Sequence, residues 1–598
     1  MALFLAAILT ALGAWLGAIA WRFAGALGGR FARMRRSALL RLACAALLSV
    51  PIGCAVAIAL APVSGSGWFG FPGLLKREEL ELSYLGWTLL PALSAIGLFS
   101  FKTGRGVARI VGACAAVSLG LFLFAAFGVD GYPEAIAAVQ KQGGMGGRLL
   151  TMARRLTDRD QDGASALFGG GDCDDRDPGR NPAAIDIPGN GVDEDCSGAD
   201  AMPVGASPGR NPGAATDWKA PAPLSLLIIT IDSLRHDVVG YMGYPRPITP
   251  NLDALAAKAV VFERAYALSS FTGRSLAPIF IGKYPSETYC NNDHFTTYFP
   301  KNEMLAEILK KAGFKTAAVG SHFYFNGHGL DQGFDRYAVE VPPGIDEPDQ
   351  QITSDRVADR AITILRDPSF SSDRFFLWLH FMDPHRDYLP HEGFPGFGTK
   401  PRDLYDGEVA FADFHVGRVL HELEARGLSG KTAILVTGDH GEAFGEHGIR
   451  FHGAKLWEEV VRVPLVVAVP GIAPARIGAR VSHIDLLPTV CDILGVRPEA
   501  PLRGDSLVRL MRGQESGDRA VFIELPPGEY FEEMYAYLDE GYKLIHEIVG
   551  NRFMLFDLQR DPDELNDLSR TDTAKREEMK ARYRALRAGL EQNALRDR

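Results

Sequence analysis

After residue 223 the chain repeatedly places an acidic residue or a histidine at the end of an apolar segment. The segment "LSLLIITID" ends at Asp232, "KTAAVGSH" ends at His322, and "KTAILVTGDHGE" contains Asp439 and His440. Apolar strands that alternate with helical stretches indicate a mostly parallel sheet with helices on both faces. Ligands of such sheets bind beyond the carboxyl ends of the strands. The pattern therefore predicts one shared site at that edge of the sheet.

Three of these residues have the chemistry of metal ligands. Asp232, Asp439 and His440 offer oxygen donors and one imidazole, a set that suits calcium, magnesium or manganese better than zinc. Thr272, in "SSFTGRSLAPIFIGKYP", precedes an apolar run that is typical of a buried helix. Metal coordination is one way to activate a hydroxyl nucleophile, and helix N-terminal amides favour a phosphate or sulfate. Thr272 is thus a candidate nucleophile, and a role as helix cap is compatible with this one.

The first 130 residues contain four apolar runs of about the length that spans a bilayer, roughly 20 residues. They cover residues 3–21, 42–61, 85–101 and 107–129. Arginine and lysine concentrate in the first and third connections, which by the positive-inside rule places both chain ends outside the cytoplasm. A signal peptide followed by buried core helices is the alternative. We therefore predict a multi-pass plasma (inner) membrane protein with an extracytoplasmic or periplasmic catalytic domain and membrane lipids as partners.

The charge balance argues against a nucleic-acid partner. The chain carries 63 basic and 73 acidic residues, a formal net charge of -10, and no long stripe of lysine and arginine. Binding to a phosphate backbone depends on such a basic surface.

Residues 158–200 form an acidic segment with the composition of a cation site. Asp158, Asp160 and Asp162 alternate before Gly163 as at the start of an EF-hand loop, although the twelfth loop position is Gly169. The stretches "GGDCDD" and "GNGVDEDC" resemble the MopE-type metal-binding motif. The predicted calcium ligands are Asp158, Asp160, Asp162, Asp172, Asp174, Asp193 and Asp195. A solvated acidic linker is the alternative.

Cys173 and Cys196 lie within this segment and look like a disulfide pair. A disulfide bond needs an oxidising compartment, which agrees with the location deduced from the arginines.

Several motifs in series resemble the sulfatase family of the alkaline phosphatase superfamily. They are "IITIDSLRHDVVGYMGYPRPITPNLDALA", "SSFTGRSLAPIFIGKYP", "GFDRY", "HFMDPH", "VTGDHGEAFGEHG" and "VRVPLVV". The resemblance covers residues 223 to about 510, and "FMLFDLQRDPDELNDL" resembles the small closing subdomain of the same family. It implies an alkaline-phosphatase-like sheet and an ester hydrolase or phosphotransferase.

The resemblance also assigns roles to individual residues. It implies that Asp232, Asp439 and His440 bind the metal and that Thr272 holds the nucleophile position. His385, with His380 and His452, would contact the ester oxygens or protonate the leaving group. The implied substrate-binding residues are Arg274, His322 and Lys455. For His380, which lies within an apolar segment, a purely structural place in the core is the alternative.

The chain departs from the family in two places. Formylglycine sulfatases carry cysteine or serine with proline two residues on and arginine four residues on, whereas here Thr272 is followed by Arg274 and Leu276. Threonine cannot become formylglycine, because its β-carbon carries a methyl group. Ser233 stands where many sulfatases have another metal-binding aspartate. A threonine nucleophile is similar instead to lipoteichoic acid synthases and phosphoethanolamine transferases, which form a phosphothreonine intermediate.

Together these features predict a metal-dependent hydrolase or transferase that acts on phosphate, or sulfate, esters of envelope lipids or glycans. The alternatives are an arylsulfatase-like sulfuric ester hydrolase and a catalytically degenerate glycan-binding protein. The predicted divisions are a four-helix transmembrane domain (1–130), a juxtamembrane helix (131–157), the acidic segment (158–200), a linker (201–222), the catalytic domain (223–515) and a C-terminal subdomain with a helix (516–598).

Overall fold

The computed structural model describes residues 145–201, 218–341, 353–527 and 532–590. The four apolar runs, the start of the predicted juxtamembrane helix and most of the predicted linker lie outside these residues. None of the described helices is long and apolar enough to cross a bilayer. The chain divides into two compact units, Met1–Ala184 and Ile185–Arg598, and this division falls inside the predicted acidic segment.

In the first unit, helix α1 spans Met145–Thr157. The strands of the second unit are β1 Ser225–Ile231, β2 Val260–Tyr266, β3 Lys315–Gly320, β4 Arg336–Val339, β5 Phe375–Phe381, β6 Thr432–Gly438, β7 Ala443–Phe444, β8 Arg450–Phe451, β9 Arg462–Ala468, β10 Ala475–Ser482, β11 Val521–Leu525, β12 Met534–Asp539, β13 Tyr542–Glu547 and β14 Arg552–Asp557. Its helices are α2 Pro250–Ala256, α3 Thr272–Ile281, α4 Leu305–Lys311, α5 Ser354–Arg366, α6 Pro368–Ser371, α7 Pro401–Ala425, α8 Glu458–Val461, α9 Leu486–Leu494, α10 Val508–Met511 and α11 Thr573–Ala588.

Most of the described strands join one mixed sheet of eight, in the order β10-β2-β9-β6-β1-β5-β3-β4. Strands β6, β1, β5, β3 and β4 run parallel to one another, whereas β9 is antiparallel to both β2 and β6. The prediction of a mostly parallel sheet is confirmed.

Strand β1 lies at the centre of this sheet and is buried along its whole length. Because successive side chains of a strand point to opposite faces, Leu226 and Ile228 pack into one apolar core while Leu227 and Ile229 pack into another. The first core also contains residues of α3, α4 and α9, and the second contains residues of α5 and α7. Helices thus cover both faces, as predicted for a strand that reads as a continuous apolar run.

A smaller antiparallel sheet, β11-β12-β13-β14, forms the C-terminal subdomain. Helix α11 packs on it through Met579 and Tyr583, in one core with Phe522 and Tyr535 of the sheet. A four-residue helix, α8, faces this subdomain from the larger sheet's side, since Val460 and Val461 share a core with strand residues of the small sheet.

A buried ion cluster fixes the C-terminal subdomain to the catalytic domain. The Lys543 Nζ atom on β13 lies 3.1 Å from Glu458 Oε1 of α8 and 2.8 Å from Glu564 Oε1. The backbone amide of Glu458 donates to Glu564 Oε2, and the Tyr266 hydroxyl of β2 donates to Glu458 Oε2. The lysine and the two glutamates are almost fully buried, so their charges depend on each other for stabilisation.

Replacing Lys543 by methionine should destabilise the protein by about 3–5 kcal/mol, because two buried carboxylates lose their counter-ion. The matched control is Lys575→Met, since the Lys575 Nζ also pairs with two glutamates, Glu540 and Glu578, which are about half exposed. We expect the control to cost at most about 1 kcal/mol, the value of a surface pair. Denaturant unfolding of both variants provides the measurement, and equal losses would contradict a cross-linking role for the buried cluster.

Candidate active site

The predicted metal ligands follow the carboxyl ends of neighbouring strands. Asp232 comes directly after β1, and Asp439 and His440 come directly after β6, which pairs with β1. Thr272 is the first residue of α3. The side chains of Asp232, Asp439 and His440 are completely buried, and Thr272 is 8% exposed. The structure brings all four residues into one cluster, at the edge of the sheet where the sequence placed it.

The Thr272 hydroxyl contacts two of the predicted ligands. Its Oγ1 donates a hydrogen bond to Asp232 Oδ2 over 3.0 Å and lies 2.9 Å from His440 Nε2. Phe271, not Thr272, is the N-cap residue of α3, so the hydroxyl serves the cluster and does not cap the helix. The neighbouring Gly273 has to be small, since a β-carbon there would lie 2.9 Å from the Phe271 ring. Because Thr272 is the first residue of α3, its oxygen lies at the positive end of the helix dipole.

The contacts of His440 fix which of its ring nitrogens faces the cluster. Its Nδ1 lies 2.9 Å from the backbone oxygen of Gly441, and a carbonyl oxygen can only accept a hydrogen bond. The hydrogen of the neutral ring is thus on Nδ1, and the lone pair of Nε2 faces Asp232, Asp439 and Thr272. Gly441 permits this turn, because a β-carbon there would lie 2.1 Å from the backbone oxygen of Glu459.

The cluster fits a divalent cation. One ligand atom each from Asp232, Asp439 and His440 lies within 4.8 Å of the others. Asp439 Oδ2 is buried and has no hydrogen-bond partner among the described residues. A buried carboxylate oxygen without a partner is costly, and a bound cation would remove that cost. The donor set is mostly oxygen, which suits calcium, magnesium or manganese.

The two carboxylates differ in their electrostatics. Burial, together with the neighbouring charge of Asp232, raises the pKa of Asp439 well above its usual range. Burial acts on Asp232 as well, but its interactions with His380, His440 and His385 outweigh burial and lower the pKa of Asp232. Asp232 therefore keeps its negative charge at neutral pH, and this charge makes the ionisation of Asp439 less favourable.

The predicted catalytic histidines gather around this cluster. His380 lies on β5, fully buried, with its Nε2 3.5 Å from Asp232 Oδ2 and its Nδ1 2.8 Å from Thr230 Oγ1. The ring centroid of His452 lies 4.3 Å from that of His440 and 5.0 Å from that of His385. His380 is therefore both a core residue and a neighbour of the metal ligands, and His385 and His452 line the same place from two different loops.

The three predicted substrate-binding residues have other contacts. The Arg274 guanidinium bonds to Cys290 Sγ, Asn291 O and Asn292 Oδ1, so it holds the loop that follows α3. Lys455 Nζ lies 2.5 Å from Glu547 Oε1 on β13. The ring of His322, two residues after β3, contacts those of Phe295 and Phe323. Their substrate contacts remain predictions.

Glu442, in the quoted "GDHGE", belongs to the site although no role was predicted for it. Its carboxylate is fully buried, with both oxygens 3.3 Å from His452 Nδ1. Burial raises the pKa of Glu442 to about 7. A carboxylate at one nitrogen of an imidazole orients the ring and fixes its tautomer. The second acidic residue of the motif was the signal in the sequence that could have identified Glu442. Its partner, His452, lies ten residues farther on, beyond a turn that was not predicted.

Ser233 supports the first metal ligand. Its hydroxyl donates to Asp232 Oδ1 over 2.7 Å and its backbone amide donates to Asp439 Oδ1. With a φ of 55° it adopts the left-handed conformation, which is strained for serine and typical of functional sites. Ser233 thus bonds to the carboxylates of both Asp232 and Asp439 and orients them.

The acidic segment separates into distinct groups. Asp158, Asp160 and Asp162 each place a carboxylate oxygen within 4.8 Å of the others, and the buried Asp172 lies where the chain returns to this loop at Ser165. Asp193 and Asp195 group with Asp186, which sequence analysis missed. Asp174 pairs with Arg180 instead. Cys173 and Cys196 are each in a disulfide bond, and of the other described cysteines Cys290 and Cys491 are free.

The second of these groups is linked to the C-terminal subdomain. Lys580 and Arg584 of α11 donate to the backbone oxygen of Ser197, and the Asn551 amide donates to that of Cys196.

Comparison with protein families agrees with this fold and site. The Sulfatase model matches residues 225–496, and the model for the N-sulphoglucosamine sulphohydrolase C-terminal region matches residues 445–591. A metal-binding motif model, of the MopE type, matches residues 172–201.

Curated relatives and solved structures are similar over the same region. An ulvan-active sulfatase of Formosa agariphila is 26% identical over 400 residues, which cover 58% of this chain and 77% of that protein. A choline-sulfatase of Rhizobium meliloti is 25% identical over 427 residues, covering 58% and 82%. The crystal structure of the phosphonate monoester hydrolase of Agrobacterium radiobacter superposes with a TM-score of 0.53 and 22% identity, covering 62% of this chain and 97% of that one.

The sheet, the buried ligand set beyond its carboxyl edge and the closing subdomain define an alkaline-phosphatase-like hydrolase fold. Residues 225–496 match the Sulfatase family model, and the matched model together with the similar relatives supports an ester hydrolase related to the sulfatase and alkaline phosphatase superfamily.

Proposed function

We propose that this enzyme cleaves phosphate esters of envelope lipids or glycans, with Thr272 as the nucleophile and a divalent cation held by Asp232, Asp439 and His440. The apolar runs at residues 3–129 would anchor it in the plasma (inner) membrane with the catalytic domain on the extracytoplasmic side. Transfer to an acceptor and hydrolysis by water share the first chemical step, so both belong to the proposal.

The contact of the Thr272 hydroxyl with Asp232 and His440 is the observation that carries this proposal. A free hydroxyl is a weak nucleophile, and it needs a base or a metal close to its oxygen. Here the oxygen lies among the ligand atoms of a cation site and at a helix N-terminus, where a negatively charged ester group is stabilised. Ser233 also places a hydroxyl beside Asp232, but Ser233 is not at the start of a helix, whereas Thr272 is the first residue of α3.

The residues present support a two-step reaction. The Thr272 oxygen forms a bond to phosphorus and the ester oxygen departs, taking a proton from His385, whose ring lies 5.0 Å from that of His452. The proton of the threonine hydroxyl is directed at Asp232 Oδ2. Water, or an acceptor hydroxyl, then displaces the threonine oxygen from phosphorus and restores the enzyme. The bound cation would neutralise negative charge on the ester oxygens.

Phosphate is favoured over sulfate by the nucleophile itself. Threonine has a methyl group on its β-carbon, so oxidation of Thr272 cannot yield the formylglycine aldehyde of ordinary sulfatases. The structural neighbour from Agrobacterium radiobacter is a phosphonate monoester hydrolase by name, which is consistent with chemistry at phosphorus on this fold. Sulfate-ester hydrolysis is the second candidate, because the family match and the named relatives are sulfatases.

Trapping of the covalent intermediate tests the proposal. The full-length protein, loaded in turn with calcium, magnesium or manganese, is incubated with an aryl phosphodiester and quenched in acid. We expect the peptide that contains Thr272 to gain the mass of an aryl phosphoryl group, and fragmentation to place that mass on Thr272. The Thr272→Ala protein is the control.

The outcomes separate the two candidates. Faster turnover of an aryl sulfate than of the phosphate ester, with a sulfated Thr272, would replace the proposal by the second candidate. Turnover of the phosphodiester without an adduct on Thr272 under rapid quench would leave no role for a threonine nucleophile.

A further inference from the structure

The loop that follows α1 is built like a calcium-binding loop that lacks its last ligand. Gly163, the sixth residue from Asp158, has a φ of 99°, the left-handed turn that an EF-hand loop needs at this position. The carboxylates of Asp158, Asp160 and Asp162 converge to within 4.8 Å. The twelfth residue, Gly169, has no side chain to complete such a site.

Three carboxylate oxygens in this loop are buried without a hydrogen bond. Asp160, Asp162 and Asp172 each accept, through Oδ1, the backbone amide of the residue two positions on. Their Oδ2 atoms are buried and have no hydrogen-bond partner within the described part of the chain. Asp172 is only 8% exposed, so its free oxygen cannot be explained by contact with solvent.

Asp172 lies where the chain returns to this loop. The backbone of Asp172 donates to Ser165 O, and Gly170 lies so close to Ser165 that a β-carbon would approach its oxygen to 2.2 Å. The chain therefore turns back on the loop and delivers Asp172 to it.

We propose that Asp158, Asp160, Asp162 and Asp172 form a calcium site in which Asp172 replaces the missing acidic residue at the twelfth loop position. Four carboxylates and no nitrogen or sulfur ligand suit a hard cation, and calcium accepts six to eight oxygens in flexible geometry. Asp158, Asp160 and Asp162 lie before the matched metal-binding motif, which begins at Asp172.

The ion would also fix the end of helix α1. Arg154 donates to the backbone oxygens of Phe168 and Gly169, and Thr157 Oγ1 lies 2.8 Å from Ser165 Oγ. These bonds join the last turn of α1 to both sides of the loop that holds the carboxylates. Because an empty site leaves four negative charges in this loop, the loop and the helix end should open more readily without calcium.

The group formed by Asp186, Asp193 and Asp195 does not support the same inference. Both oxygens of Asp186 accept backbone amides, those of Glu194 and Ala201, and both oxygens of Asp193 accept amides of the turn at Ser197 and Gly198. Among the described residues, no carboxylate oxygen of this group is buried without a partner, in contrast to the Oδ2 atoms of Asp160, Asp162 and Asp172.

Hydrogen exchange on the full-length protein tests the proposal. Exchange of peptides covering residues 154–172 is measured after chelation and with calcium added at about 10⁻⁴ to 10⁻³ M, the range in which extracellular modules bind it. We expect calcium to slow exchange there, and Asp172→Asn to raise the calcium concentration needed by at least about tenfold, because ligand charge sets affinity. Asp177→Asn, which changes an exposed aspartate in the same segment, should behave as wild type.

Exchange of the β1 peptide, residues 225–231, reports whether the variants are folded, and Asp160→Asn provides a second variant with the same expected loss. The proposal would be overturned if calcium did not change hydrogen exchange in the wild type. It would also be overturned if calcium protected Asp172→Asn and the wild type equally. Neither result bears on phosphate-ester cleavage by Thr272.

Discussion

Replacement of Thr272 by alanine should lower kcat toward phosphate esters by about 10³-fold or more, as loss of a nucleophile does in other enzymes with covalent intermediates. The physical reason is that Oγ1 lies between Asp232 and His440, and alanine leaves no oxygen at that position. Thr272→Ser keeps the hydroxyl and should retain most of the activity. Initial rates with aryl phosphate esters, at saturating metal, provide the measurement.

The controls separate loss of the hydroxyl from loss of the fold. Thr363→Ala removes an exposed threonine on α5 whose hydroxyl bonds only its own helix at Asp359 O in the described contacts, and activity should not change. The melting temperature of Thr272→Ala should stay close to wild type, because Thr272 is not the N-cap residue of α3. An active Thr272→Ala enzyme would mean that bound water attacks the ester directly.

Replacement of Asp439 by asparagine should have opposite effects on the metal-free and the metal-loaded protein. Without metal, the buried Oδ2 of Asp439 has no partner among the described residues and faces the charge of Asp232. Replacing the Asp439 carboxylate by a neutral amide should stabilise the metal-free protein by about 1–3 kcal/mol, the cost of an unsatisfied buried group. With metal at about 100 times Kd, wild type should gain about 2.7 kcal/mol and the variant should gain little.

The effect of Asp439 on stability should also depend on pH. Its pKa is raised in the folded protein above the value of 3.8 that it has when unfolded, so the folded state binds the extra proton. The metal-free wild type should therefore lose stability as pH rises from about 4 through the raised pKa, and Asp439→Asn should lack this part of the loss. Denaturant unfolding in chelator at several pH values gives the comparison, and identical pH profiles would contradict the raised pKa.

The strands and the metal ligands could be predicted because each depends on local sequence. Strand β1 is a continuous apolar run that is buried on both faces, and Asp232 follows it directly. The parallel arrangement then places Asp439 and His440 beside it by register alone. The insertion of β9 antiparallel to its two neighbours was not predicted, since an apolar run carries no information on strand direction.

The residues that were missed or placed differently depend on contacts between distant segments. The role of Glu442 depends on the return of the chain at His452, and the contacts of Arg274 depend on the course of the loop at Cys290. Asp172 was predicted as a ligand, but its return to the loop at Ser165 depends on the close approach of Gly170. The cap of α3 differs from the expectation because Thr272 has stronger partners across the site than along its own helix.

The C-terminal subdomain contributes to the active-site loop as well as to stability. Lys455, three residues after His452, pairs with Glu547 of β13, and His447 bonds Glu459 while its Nε2 contacts the backbone oxygen of Asp563. The loop that carries His452 is therefore held at both ends by residues beyond position 540. A chimaera that exchanged this subdomain for that of a related hydrolase would have a displaced histidine unless the incoming subdomain supplied equivalents of Lys543, Glu547 and the Asp563 backbone oxygen. Evolution of substrate preference in such enzymes would then have to change the two parts together.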